Sequence, residues 1–142
     1  MLERLPEFLG NNPILTGALI AVIALILYTE FQRLTRKYRA LPPAEAVRVM
    51  NQDGSLVLDV REDNEFSGGR IPGARHIPLG VLKKRMQDID RFKESPVLVY
   101  CRTGARSAVA ASQLVAAGFT DVTNLQGGIQ AWQSAGLPVK KK

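Results

Sequence analysis

The chain holds one cysteine, Cys101, and one histidine, His76. A single thiol rules out an intrachain disulfide or a site built from several thiolates, and a single imidazole leaves no histidine cluster for a metal. The chemistry open to this sequence therefore centres on Cys101. It ends an apolar run, VLVYC at residues 97–101, and is followed by Arg102, Thr103, Gly104, Ala105, Arg106 and Ser107. A cysteine at the end of a strand, before a tight loop and a helix start, sits in an anion site. Backbone N–H groups of the loop converge on it and the helix N-terminus adds partial positive charge. Such a setting favours thiolate over thiol, lowering the pKa and making Cys101 nucleophilic near neutral pH without a basic partner. Gly104 lets the backbone turn close to the bound group, and Arg106 supplies a fixed cation at the rim. The competing reading is a buried, inert cysteine closing a core strand, the commoner fate of a lone Cys.

The elements that must position this loop are readable from apolar patterning. LVLDV at 56–60 and VLVYC at 97–101 are continuous rather than alternating runs, as in parallel strands covered on both faces. Residues 43–51 read as a short helix with proline in its first turn, 106–117 as an alanine-rich helix stopped by Gly118, 121–125 as a strand, and a last helix is opened by Gly127-Gly128 and runs to about Ser134. Alternating strands and helices predict an α/β, three-layer domain with a mostly parallel central sheet, whose ligand site lies at the carboxyl ends of the strands. Asp59 and Arg61, at the end of the first long strand, are candidates for the site rim, with a structural ion pair to neighbours such as Arg75 as the plainer reading. Arg102 reads equally as a substrate-guiding cation or a solvated loop residue. His76 reads as a structural histidine, Trp132 as core, and Lys83, Lys84 and Arg85 as a solvated face that could also touch anionic lipid.

The N-terminal part has a different character. Residues 8–29 carry no charge, and 14–28 are almost wholly apolar. Asn12 suits the N-cap and Pro13 the first helical position. Fifteen apolar residues span about 22 Å, short of a hydrocarbon core of roughly 30 Å, so interfacial Tyr28, Phe31, Leu34 and Tyr38 are needed to complete a crossing. The basic cluster Arg33, Arg36, Lys37 and Arg39 follows the span and predicts a cytoplasmic domain. A cleaved signal peptide is the main alternative, opposed by acidic Glu3 and Glu7 before the apolar run and by the lack of a small-residue cleavage site after Tyr28. A buried core helix is another, opposed by the size of domain needed to cover it. The expected organisation is a short segment over 1–12, a transmembrane helix with basic extension over 13–40 closed by Leu41, Pro42 and Pro43, a domain over 41–139, and a lysine tail over 140–142. The formal charge of +6 sits at the ends: 41–139 carries eleven basic and ten acidic residues. With no basic, aromatic-interleaved face, nucleic acid is not an expected partner.

Four stretches taken together resemble the rhodanese-like family of sulfurtransferases: LVLDVRE at 56–62, GGRIPGARHIPL at 68–79, CRTGARS at 101–107 and NLQGGIQAW at 124–132. Arg70 and His76 stand where that family often has His and Asn. The resemblance implies that Cys101 accepts a sulfane sulfur as a persulfide and passes it to a thiol or cyanide, with Arg102, Thr103, Gly104, Ala105 and Arg106 cradling the sulfur. It implies no metal or organic cofactor. Cys-based phosphatases need five residues between Cys and Arg to wrap three phosphate oxygens, and this loop has four, a ring suited to a single terminal sulfur. The expectation is an inner-membrane, single-pass sulfurtransferase with its C-terminal domain cytoplasmic, using a small-molecule sulfur donor such as thiosulfate and a thiol acceptor. A non-catalytic docking module that recruits a membrane-protein partner is the alternative.

Overall fold

The structure is a computed structural model that describes residues 5–35 and 37–141. The chain divides into two compact units after residue 36. In the first, a short helix α1 (Leu5–Asn11) precedes a long helix α2 (Pro13–Leu34). Asn12 stands at the N-cap of α2 as expected, but its side chain donates to the Phe8 carbonyl at 2.9 Å instead of capping the helix ahead. At 22 residues, α2 is about 33 Å long, enough for a crossing because Thr29–Leu34 stay helical beyond the purely apolar stretch. No residue of its apolar window is buried, and Ile14, Leu15, Ile20 and Leu27 are exposed, which is not the pattern of a core helix. A signal sequence meets the same length and composition test. The side chain of Arg33, with Arg36 of the expected basic cluster and Lys142 of the lysine tail, lies outside the described residues.

The second unit holds a five-stranded, all-parallel sheet of β1 (Arg39–Leu41), β2 (Leu56–Asp59), β3 (Arg75–His76), β4 (Pro96–Tyr100) and β5 (Asp121–Leu125), ordered β1-β5-β4-β2-β3. The strand β1 corrects the sequence reading, which carried the juxtamembrane helix through Arg39 and Ala40 and made Leu41 part of a linker. A residue before proline is pushed out of the helical region, so Leu41 is extended ahead of Pro42 and the three residues pair with β5. Arg39 then meets Asp121 at 2.7 Å. The compact unit that holds the sheet accordingly runs from residue 37.

The buried runs explain themselves through the two-residue period of a strand. Leu56, Leu58, Val97, Val99 and Val122 face one apolar cluster, with Leu82, Ile89, Ala110, Ala111 and Leu114. Val57, Leu98, Tyr100 and Leu125 face the other, with Ala46 and Val49 of α3 (Pro43–Met50) and Ile129 and Trp132 of α7 (Gly128–Ser134). Thus α5 (Leu79–Leu82), the 3₁₀ segment Met86–Phe92 and α6 (Ala105–Ala116) cover one face while α3 and α7 cover the other. Continuous apolar strands need two such covers. Strand β4 is central, and Cys101 leaves its carboxyl end between them.

Candidate active site

Cys101 is 1% exposed and begins a loop that turns at Gly104, whose φ of +103° is a left-handed conformation open to glycine. Gly104 is the N-cap of α6, so the chain passes from strand to helix in three residues. This turn aims the Gly104 N–H at Cys101 Sγ, 3.1 Å away. One turn into α6, the Ser107 hydroxyl lies 3.3 Å from the same sulfur. Burial pushes the Cys101 thiol up, but the Ser107 hydroxyl and the backbone N–H groups of Ser107, Gly104 and Thr103 outweigh it, holding the thiol below its ordinary value.

The loop is braced from below by α7. Ile129 N–H donates to the Cys101 carbonyl at 2.9 Å and Gln130 N–H to the Arg102 carbonyl at 3.2 Å. These bonds occupy both carbonyls with donors from α7 and tie the loop to that helix. The close approach depends on Gly128, φ +61°, where any Cβ would collide with the Arg102 and Cys101 carbonyl groups.

The expected loop residues are held together, though not all as anticipated. Arg102 and Thr103 are exposed, and Ala105 opens α6. Arg106 is not a free rim cation. Its guanidinium grips Glu65 of α4 (Asp63–Ser67) through two bonds, Nη1 to Oε2 at 2.7 Å and Nη2 to Oε1 at 2.8 Å. Glu65 Oε2 also accepts the Glu62 N–H at 3.0 Å. The Arg106 hydrogen bonds draw the Glu65 carboxyl down to about 2, and Arg106 is held above its ordinary value.

Asp59 is fully buried, so it does not stand at the rim, and its partner is Arg61 itself rather than Arg75. Arg61 Nη2 lies 2.6 Å from Asp59 Oδ2 and 2.7 Å from the Gly69 carbonyl. Arg75 instead donates to the Asp88 carbonyl. Arg61 nevertheless does line a cleft of about 300 Å³ beside the loop, with Asn64, Glu65, Arg102, Ile129 and Gln130. His76 is structural in its contacts: its Nε2 donates to the Arg61 carbonyl at 2.7 Å and its ring stacks on Phe66.

Three residues of this site were missing from the sequence-based candidates: Glu65, Ser107 and Asn124. Asn124 Oδ1 accepts the Ser107 hydroxyl at 2.6 Å, and its Nδ2 donates to the Gly104 carbonyl at 3.3 Å. Ser107 and Asn124 lie inside motifs quoted for the resemblance. Glu65 had only its capping-box spacing from Glu62 to mark it, and nothing local pointed to an arginine 41 residues away.

The comparisons agree with this geometry. The rhodanese-like domain family matches residues 42–135. YibN of Escherichia coli (strain K12) is 30% identical over 139 residues, 97% of each chain, so that match includes the segment of the apolar helix. The thiosulfate sulfurtransferase GlpE of Pseudomonas putida (strain KT2440) is 33% identical over 98 residues, 69% of this chain and 87% of the relative. Among solved structures, a rhodanese-related protein from Thermoplasma volcanium superimposes with a TM-score of 0.66 at 30% identity, over 74% of this chain and all of that one. With a family match that spans most of the chain and the same fold in an independent protein, this chain belongs to the rhodanese-like domain family.

Proposed function

We propose that the protein is a membrane-tethered sulfurtransferase that carries sulfane sulfur on Cys101. The observation that carries this reading is the ring of donors around a buried sulfur, with the Gly104 N–H at 3.1 Å and the Ser107 hydroxyl at 3.3 Å. A thiolate carries its charge on the one sulfur atom these donors face, both when it attacks the donor and when it is released after the sulfur is passed on. In the loading step the Cys101 thiolate attacks the outer sulfur of a donor such as thiosulfate. The S–S bond of the donor breaks, sulfite leaves with its electron pair, and Cys101 becomes a persulfide. A thiol or cyanide acceptor then attacks the outer sulfur and Cys101 is released as thiolate. Arg102, exposed beside the cleft and, among the described residues, without the carboxylate partner that Arg61 and Arg106 each have, guides the anionic donor; Arg106, tied to Glu65, braces the loop and adds positive potential at the sulfur. The sulfurtransferase names of relatives such as GlpE favour the same chemistry.

The test is intact-mass spectrometry of purified protein after exposure to thiosulfate. A gain of one sulfur atom that Cys101→Ser abolishes is the expected result. Its reproducible absence in the parent protein refutes the enzyme and favours a docking module. The apolar helix α2 supports single-pass anchoring in the inner membrane with the domain in the cytoplasm. Fractionation with protease protection tests it: a protein found wholly in the soluble fraction, or a domain digested from outside intact cells, refutes the tether.

A further inference from the structure

Ser107 has one hydroxyl proton and two acceptors within its reach. Its Oγ lies 2.6 Å from Asn124 Oδ1 and 3.3 Å from Cys101 Sγ. All three side chains are buried, so bulk water does not compete for that proton. The Asn124 amide is oriented by the Gly104 carbonyl, which can only accept, so Nδ2 faces Gly104 and Oδ1 faces Ser107.

Where the proton rests therefore follows the charge on Sγ. Beside a neutral thiol, the amide oxygen at 2.6 Å is the better acceptor. Beside a thiolate, the hydroxyl gains by turning to the sulfur, because a hydrogen bond to an ionised acceptor is about twice as strong as a neutral one. When Sγ carries a second sulfur it is uncharged, any charge sits one atom further out, and the hydroxyl returns to Asn124. The device distinguishes empty Cys101 from loaded Cys101.

We propose that Ser107 is a catalytic hydrogen-bond donor for the discharge half-reaction, stabilising Cys101 Sγ as the leaving group, with Asn124 as the positioning residue that aims its hydroxyl. This rests on the sulfur-transfer reading of Cys101. In discharge, an acceptor thiolate attacks the outer sulfur of the Cys101 persulfide. The bond between Sγ and the outer sulfur breaks, its electron pair stays on Sγ, and the new S–S bond forms on the acceptor. The products are the acceptor persulfide and the Cys101 thiolate, so no oxidant or reductant is required. The Ser107 bond forms as negative charge develops on Sγ. In loading the same charge is consumed, and the bond weakens on the way to the transition state.

The two half-reactions of Ser107→Ala should therefore diverge. Full-length protein in detergent is loaded with thiosulfate, freed of excess donor and mixed with cyanide, and loss of the added sulfur is followed by intact mass; loading is timed separately. Discharge should slow by about tenfold, the scale of one hydrogen bond to a charged group, while loading per thiolate stays unchanged or quickens. The pH midpoint for alkylation of Cys101 by iodoacetamide should rise in Ser107→Ala and return in Ser107→Thr. Arg106, the charged group that interacts with the sulfur, and the carboxylates that act on it, Glu65 from α4 and Glu62, are unaltered in these variants. Equal slowing of both half-reactions, or discharge at the parental rate, overturns the proposal. If the alanine variant does not fold, Ser107→Gly removes the same hydroxyl and must give the same divergence. A parent protein that never gains sulfur sinks the sulfur-transfer reading itself, a result distinct from a loaded protein whose discharge ignores Ser107.

Discussion

Gly128 is where the geometry makes its sharpest demand. Its φ of +61° lies in the left-handed region, and a Cβ there would press on the Arg102 carbonyl oxygen and stand 2.6 Å from that of Cys101. Both neighbours are backbone of the reactive loop, so no flexible side chain can move aside. In Gly128→Ala the conformation alone costs ~1–2 kcal/mol. The loop must also shift by about 0.4 Å or more, overpacking of a kind that costs ~1–3 kcal/mol. Gly136 is the control, because at φ +74° it carries the conformational cost with nothing within 4 Å of an added Cβ. Thermal unfolding of the purified protein in detergent should place Gly128→Ala at least about 4 °C below Gly136→Ala, since 1 kcal/mol moves the midpoint of a domain this size by ~4–8 °C. Below its melting range Gly128→Ala should also load sulfur more slowly, because the shift moves the loop backbone and with it the Gly104 N–H that holds Cys101 as thiolate, whereas Gly136→Ala should load normally. Midpoints of the two variants that coincide within about 2 °C, together with parental loading, would refute the claim that α7 sets the shape of the loop.

The Glu65–Arg106 pair has a pH signature. Because the folded carboxyl is lowered from 4.5 to about 2, its contribution is complete above pH 4.5 and is lost as pH falls toward 2. Glu65→Gln should cost ~1–2 kcal/mol at neutral pH, a deficit that shrinks on acidification through that window; urea melts showing a pH-independent deficit contradict the assignment. Asp59→Asn should be the more damaging change, about 3–5 kcal/mol, because it strands the guanidinium of Arg61, which is only 5% exposed. Denaturant unfolding within ~1 kcal/mol of the parent would show that this buried pair contributes little.

Much of the architecture was legible because it depends on local or periodic properties. Continuous apolar runs at 56–60 and 97–101 imply strands with two covered faces, and they recur as β2 and β4 within one residue. The Cys101 loop could be read because a strand end, a glycine turn and a helix start are adjacent in the chain. The apolar helix was likewise plain, since a span is defined by composition and length. Its far boundary was not: the basic residues after it resemble a helix extension until β5 offers Arg39–Leu41 a partner strand, Arg39 pairing with Thr123.

What only the tertiary structure decided is how the charges and the hydroxyl are distributed around the sulfur. Arg106 read as an available cation because its carboxylate partner lies in another helix, and Asp59 read as a member of an ion pair or a rim residue, without the partner, Arg61, or the full burial that the structure shows. Ser107 and Asn124 meet because α6 packs over β5, which lets one hydroxyl proton lie between an amide and a thiol. Sequence singled out Cys101 as the candidate nucleophile, together with the loop around it, through contacts a few residues apart. The placement of Glu65 against Arg106, 41 residues apart, required the fold, because such partners are set by distance in space and not by separation along the chain.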